Sequence, residues 1–324
     1  MTTYEEAGVD LEGAERHVRD IAASVTSTWG EGVVGAFGGF AAGVELPPGY
    51  RNPVLMMSTD GVGTKLEIAR RFSRWEGIGQ DLVAMCVDDL AAVGARPIGF
   101  VDYMAVGSLQ PERDGLVVTS VARACSLAGC PLLGGETAEH PGVMGTDAID
   151  LAGAVVGVVE KGQELRADRV NEGDIVIGLA SPNLRSNGFS LVRRVLEDDM
   201  EQYVEDLLDP SVIYTPSVLA AVGTGWVRAA AHVTGGGLIG NLGRALPDHL
   251  GVEVHRSNWD RPEIFDVIAM RGVSPDEMER TFNLGIGFCL VVDPVGADVV
   301  MGAVAAHHPV VIGTVNQHPG VRIV

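Results

Sequence analysis

Glycine placement constrains this chain more than any other feature, because the glycines cluster and two of the clusters stand between an apolar, strand-like run and a helical pattern. Val54 to Met57 ends in Ser58, Thr59, Asp60 and Gly61, and a helical stretch from Thr64 to Phe72 follows. A strand leading to His232 and Val233 meets Thr234, Gly235, Gly236 and Gly237 before a helix from Leu238. Glycine lets backbone approach a ligand and adopt φ values that other residues avoid, so strand, glycine turn and helix in sequence is a ligand-loop arrangement. With 43 glycines in 324 residues, this rhythm dominates the composition.

The elements between the turns predict an α/β (α+β) fold. Apolar positions from Leu11 to Val25 follow helical spacing, and Ile78 to Val93 marks a long amphipathic helix closed by Gly94. Strands are expected at Pro97–Val106, Leu132–Gly134, Ile149–Val159, Ile175–Leu179, Phe288–Val292 and Val310–Val315, with a helix from Pro111 to Gly129. The segment Gly162 to Gly173 turns polar and divides the chain into residues 1–165 and 166–324. Between Gly30 and Phe40 the sequence GEGVVGAFGGF has no periodicity and reads as a mobile, lid-like loop rather than a dinucleotide fingerprint, which should follow a strand and open a helix.

Charge narrows the function. The 43 acidic and 23 basic residues give −20, and only Lys65 and Lys161 are lysines. Such a surface repels nucleic acid and offers no polybasic membrane patch. No apolar run reaches the ~20 residues of a membrane helix and no signal peptide is read, so the expected compartment is the cytoplasm. Cys86, Cys125, Cys130 and Cys289 lack CxxC spacing and are expected to be buried thiols.

Asp60, Gly61, Val62, Gly63, Thr64 and Lys65 place a carboxylate, two unhindered peptide groups, a hydroxyl and an ammonium in one turn entering a helix. Such a turn can hold magnesium and phosphate oxygens, or it can simply cap the helix; spacing alone leaves both open. Asp81 and Asp88 share a helix face, with Asp89 beside them: either a solvated face or a group gathered round a cation. Gly134 to Glu139 reads as a dense polar turn after a short strand. Ser186, Asn187 and Gly188 form another, and Thr234–Gly237 suits an anion cradle. His140 and His232 adjoin these turns, while no HExxH or GxSxG motif is present.

Together these segments resemble the phosphoribosylformylglycinamidine cyclo-ligase (aminoimidazole ribonucleotide synthetase) family. The matching blocks run in order from YEEAGVD (Tyr4–Asp10) through STDGVGTKL, GQDLVAMCVDDL, GARPIGFVDY, CPLLGGETAEHPG and SNGFSLVR to HVTGGGL and EMERTFNLGIG. The resemblance implies a two-domain subunit whose N-terminal mixed sheet forms a homodimer, and an ATP-dependent ring closure of formylglycinamidine ribonucleotide. It places Asp60 and Asp89, with Asp81 as a third candidate, at magnesium, with potassium as a further ion. It assigns Gly38, Gly39, Gly61, Gly63, Thr64 and Lys65 to ATP, and Glu136 and Glu139, alongside Asp60, Lys65 and Asp89, to the reacting groups. Thr137, Arg185, Ser186, Asn187, Gly188, Thr234, Gly235, Gly236, Gly237 and Asn283 fall on the substrate side.

Four positions depart from the family pattern: Asp88 stands for asparagine, Arg185 for histidine, His140 for methionine and Val212 for arginine. An arginine cannot serve as a proton carrier, so Arg185 is expected to grip a substrate phosphate. Relatives of this architecture include thiamine-monophosphate and selenophosphate kinases and hydrogenase-maturation proteins. Against the latter two stand the absence of any cysteine before Cys86 and the C-terminal Val324. A nucleotide-binding paralogue without catalysis is a further alternative.

Overall fold

The computed structural model describes Gly8 and residues 10–324; the Tyr4–Asp10 block lies largely outside the described residues. The first helix, α1 (Leu11–Thr26), starts at Asp10, whose carboxylate accepts the Gly13 N–H at 2.8 Å. It is followed by a two-residue hairpin, β1 (Val33–Val34) against β2 (Gly43–Val44). The glycine loop is therefore the tip of a hairpin, with Phe40 fully exposed.

Four strands build the first sheet: β3 (Pro53–Gly61), β4 (Arg96–Val106), β5 (Leu132–Glu139) and β6 (Ile149–Glu160). Their order is β3-β6-β4-β5, antiparallel except for the parallel β4/β5 pair, so the sheet is mixed as expected. The helices α2 (Lys65–Phe72), α3 (Ile78–Ala92) and α4 (Pro111–Ala128) follow the periodicity read from the sequence. α3 lies on the inner sheet face and packs against α4. Gly79 makes that approach possible, since a β-carbon there would stand 2.2 Å from the Val121 nitrogen. On the outer face Leu55, Met57, Val101 and Tyr103 stay exposed.

In the second half, β7 (Ile175–Ala180), β8 (Val227–His232), β9 (Gly251–Val254), β10 (Ile286–Val292), β11 (Val310–Asn316) and β12 (Gly320–Ile323) form a six-stranded sheet. The order is β12-β9-β11-β7-β10-β8, and every residue of β10 is buried. Seven helices complete it: α5 (Phe189–Val195), α6 (Val204–Leu208), α7 (Thr215–Gly223), α8 (Gly237–Arg244), α9 (Glu263–Met270), α10 (Pro275–Thr281) and α11 (Ala297–Ala303). Leu238 and Leu242 of α8 cover one face, while Val218 of α7 and Val300 of α11 cover the other. The largest apolar cluster joins the two halves, with Leu184, Phe189, Phe265 and Phe282 packed among residues of α2, α3 and α4. The two sheets thus share a packed seam, and α3 lies along it.

One local expectation fails. Gly134 to Glu139 is not a turn but the body of β5, which pairs with β4 alone. An edge strand needs little apolar alternation, and polar residues there deter further pairing.

Candidate functional site in the seam

The turn after β3 carries Asp60 and leads into α2 through Gly63, whose φ of +70° suits glycine. No side chain caps α2. Thr59 Oγ1 donates instead to the Gly153 carbonyl at 2.7 Å, and Asp60 Oδ1 accepts the adjacent Gly61 N–H at 2.7 Å. The capping alternative is therefore not what these residues do.

Asp89, near the end of α3, lies close enough to Asp60 for the two charges to interact. Burial raises the Asp60 pKa above the carboxylate norm; the Asp89 charge adds to this, and the Gly61 N–H only partly offsets it. Asp89 behaves oppositely. Burial pushes it up, but hydrogen bonds from His232 (Nδ1 to Oδ1, 2.9 Å) and Ser58 (Oγ to Oδ2, 3.0 Å) outweigh that and hold its pKa low. Two neighbouring carboxylates, on β3 and α3, are the kind of ligand a hard divalent ion takes. Magnesium takes one or two protein carboxylates and completes its shell with phosphates and water. Among the described residues no cluster of three or more ligating side chains forms.

Beside Asp89 opens a cleft of about 360 Å³ between the two halves, lined among others by Ser58, Arg166, His232, Asn241 and Arg244. Arg244 is exposed, and its charge helps keep Asp89 ionised. Sequence reasoning missed Ser58, Arg166, Asn241 and Arg244. Ser58 adjoined a turn already singled out, whereas nothing local marks Arg244. Asn241 donates to the carbonyls of Thr234, Gly235 and Gly237, at 3.2, 3.2 and 2.8 Å, and so shapes the glycine turn. Within that turn Gly237 is tightest, since a β-carbon would stand 2.0 Å from the Glu279 carbonyl.

Several expected site residues are engaged elsewhere. Lys65 is fully buried; its ammonium pairs with Asp81 Oδ2 at 2.7 Å and donates to the carbonyls of Asp209 (2.9 Å) and Arg185 (3.4 Å). Neither Lys65 nor Asp81 faces the cleft, because each neutralises the other, and Asp81 Oδ1 also takes the Ser211 N–H and hydroxyl. Glu139 is tied by both oxygens to the N–H groups of Leu109 (2.7 Å) and Asp10 (3.0 Å). Asn283 is a buried brace, bonded to the Asn183 carbonyl and the Gly285 N–H. Arg185 is fully buried and cannot grip a phosphate as it stands. Asp88 points away from Asp60 and Asp89, bonding the Tyr214 and Thr215 N–H groups at the start of α7.

Other candidates stay available. Ser186, Asn187 and Thr137 are half-buried, and Thr64 Oγ1 meets Ser190 Oγ at 3.1 Å across the seam. Gly188 opens α5 with φ +78°. Glu136 pairs in register with Tyr103 and so shares the outer sheet face, opposite the inner face that carries Asp60 and Ser58. Within one chain the structure does not bring Glu136 to the acidic pair.

A mixed sheet and a six-stranded sheet joined at a seam, with Asp89 at a cleft between the halves, are the architecture of the AIR synthase related class. The N-terminal domain of that description matches residues 41–159 and the C-terminal domain matches residues 171–324. The fold is shared by hydrogenase maturation protein HypE in complex with ATP (TM-score 0.70, 17% identity, 98% of this chain and 93% of that one). It is shared also by thiamine-monophosphate kinase from Stenotrophomonas maltophilia K279a (TM-score 0.67, 18% identity, 97% and 96% covered). A phosphoribosylformylglycinamidine cyclo-ligase of Rippkaea orientalis is 45% identical over 92% of this chain and 91% of its own length. The chain belongs to the phosphoribosylformylglycinamidine cyclo-ligase family.

Proposed function

We propose that this chain uses ATP to convert formylglycinamidine ribonucleotide into 5-aminoimidazole ribonucleotide, with release of ADP and phosphate, in purine biosynthesis. The observation that carries the reading is full-length similarity to a cyclo-ligase, 45% identical, against 18% for the kinase that shares the fold.

The reaction must expel an amide-type oxygen, which leaves poorly. Transfer of the γ-phosphoryl group to the formamide oxygen breaks the bond to ADP and makes that oxygen part of a good leaving group. The amidine nitrogen then attacks the same carbon and loses a proton as the C–O bond breaks, and phosphate departs with the oxygen. Positioning and charge stabilisation supply most of the catalysis in such transfers.

Asp60 and Asp89 would hold magnesium, which when bound neutralises phosphate charge. Ser58 and His232 keep Asp89 ionised and oriented. Gly61 and Gly63 let the ATP phosphates approach the turn, where the Gly63 N–H and the Thr64 hydroxyl serve them, and the hairpin tip with Gly38 and Gly39 covers them. Thr137, Ser186, Asn187, Gly188 and the Thr234–Gly236 turn serve the ribonucleotide, with Arg244 as the cation for its phosphate. A homodimer through the exposed Leu55, Met57, Val101 and Tyr103 face would bring Glu136 of one copy towards the other.

Incubation with ATP, magnesium and formylglycinamidine ribonucleotide, with and without potassium, tests this. Aminoimidazole ribonucleotide and ADP should appear in equal amounts. Turnover with thiamine monophosphate alone, or ATP binding with no product, would end the reading. Light scattering should give twice the mass of the chain.

A further inference from the structure

Arg185 is an expensive residue to keep. Its backbone is left-handed at φ +60°, its side chain is fully buried, and its Nε has no partner. Left-handed backbone at a non-glycine residue costs roughly 1–2 kcal/mol, and a buried charge is often replaceable by apolar packing without loss of stability. Strain of this sort persists where the surrounding structure uses it.

The guanidinium has four contacts that define its use. Nη1 donates to the Val212 carbonyl at 2.9 Å, and Nη2 donates to Asp88 Oδ2 at 3.0 Å. Nη2 also meets His232 Nε2 at 2.9 Å, and the group lies 4.9 Å from the Tyr214 ring centre. Three positions that depart from the family pattern, 88, 185 and 212, thus meet at one side chain.

A guanidinium has donors and no acceptor. His232 Nε2 facing Nη2 must therefore present a lone pair, which leaves the ring proton on Nδ1. That nitrogen points at Asp89 Oδ1, 2.9 Å away. We infer that Arg185 is a positioning residue: it fixes His232 in the Nδ1–H tautomer, and His232 in turn holds the Asp89 carboxylate in the orientation the cleft requires. Asp88 and the Val212 carbonyl hold the guanidinium for that task, with Asp88 itself anchored by the hydroxyl of Thr215 at 2.8 Å. Hydrogen-bond partners of this kind behind a ligating carboxylate matter about 10–100-fold for activity. The catalytic part of the inference rests on the cyclo-ligase reading; the tautomer does not.

The test is ring-nitrogen NMR of the whole protein labelled with ¹⁵N-histidine, with the His232 signals assigned by their loss in His232→Gln. Wild type should show a protonated Nδ1 and an unprotonated Nε2. In Arg185→Met the two nitrogens should shift towards a mixture of tautomers, and Arg185→Lys, which keeps a donor, should restore part of the wild-type pattern. Turnover in Arg185→Met should fall about 10–100-fold while KM for the ribonucleotide stays within about twofold, since the guanidinium does not touch substrate. Should Arg185→Met not fold, Asp88→Asn loosens the same guanidinium from its other side and should give the same shift. A protonated Nε2 in wild type, an unchanged tautomer in the variants, or a raised ribonucleotide KM at normal kcat overturns the inference. Absence of turnover in wild type would defeat the functional reading and leave the tautomer measurement standing.

Discussion

Two buried cations tie α3 to the second half of the chain, and they end differently. Lys65 ion-pairs with Asp81 and donates to two carbonyls, all inside the seam, and Asp81 Oδ1 is completed by Ser211. Arg185 pairs with Asp88 in the same way but continues through His232 to Asp89, whose side chain is 44% exposed at the cleft. The two networks touch, because Lys65 donates to the Arg185 carbonyl. A closed buried pair can only hold the halves together. One that runs to an exposed carboxylate also sets geometry where a ligand can reach it.

The largest effect expected from this contrast lies at the open end. Asp89→Asn and Asp60→Asn should each lower turnover by on the order of 10²–10³-fold, the range for removing one electrostatic contact to a developing charge. The near-UV spectrum should stay unchanged, and magnesium-dependent ATP binding, followed by calorimetry, should weaken in both. Near-normal kinetics in both would remove the acidic pair from the site.

The closed network predicts the reverse pattern. Lys65→Met strands Asp81 as a buried charge and should cost about 3–5 kcal/mol of unfolding free energy in denaturant titration. Lys65→Met with Asp81→Leu should recover most of that. If Lys65→Met instead kept its stability and lost ATP binding, Lys65 would belong to the phosphate site and the contrast would collapse.

How far the sequence foretold this arrangement follows from the same residues. The period of α3 and its run of aspartates were legible, because an amphipathic helix writes its faces at 3.6-residue spacing. What each aspartate does was not. Asp88 and Asp89 are adjacent, so about 100° of helix rotation sends one into the seam and the other to the cleft. Lys65 begins a helix beside a phosphate-like turn, and only the packing of residues 120 and 144 positions away turns it inward. The strand character of Gly134–Glu139 depends on one neighbour, β4, and leaves no local period to read. Asp60 and the Thr234–Gly237 run stood out in the sequence as members of polar glycine turns, since turn chemistry is local; Arg244 did not, since what it faces lies in the other half.

Asp102 shows what a carboxyl does with no cation at all. Buried on the inner face of β4 beside Gly135, it is pushed up to about 7 by desolvation. The folded state therefore holds a proton that the unfolded chain releases near pH 4. Stability from this group is full below that value and is lost as pH rises through about 7. A shift of about 3 units corresponds to about 4 kcal/mol above neutrality. Asp102→Asn should accordingly gain up to that much at pH 8 and little at pH 4, measured as unfolding free energy across the range. A pH-independent difference would mean that Asp102 finds a partner in the folded protein.

The smallest effect separates orientation from charge at Asp89 itself. Ser58 donates to Oδ2 while His232 holds Oδ1, so Ser58→Ala removes one of two restraints and leaves the carboxylate ionised. A single such hydrogen bond is worth about 1 kcal/mol net, and slightly more to a charged acceptor. That corresponds to roughly a fivefold loss in kcat/KM. If both oxygens must be restrained, the loss in Ser58→Ala should appear in kcat, and adding Arg185→Met should deepen it by more than the product of the two single effects. Simple multiplication would mean that the serine and the guanidinium act on Asp89 independently, and the open network would then be two separate contacts and not one relay.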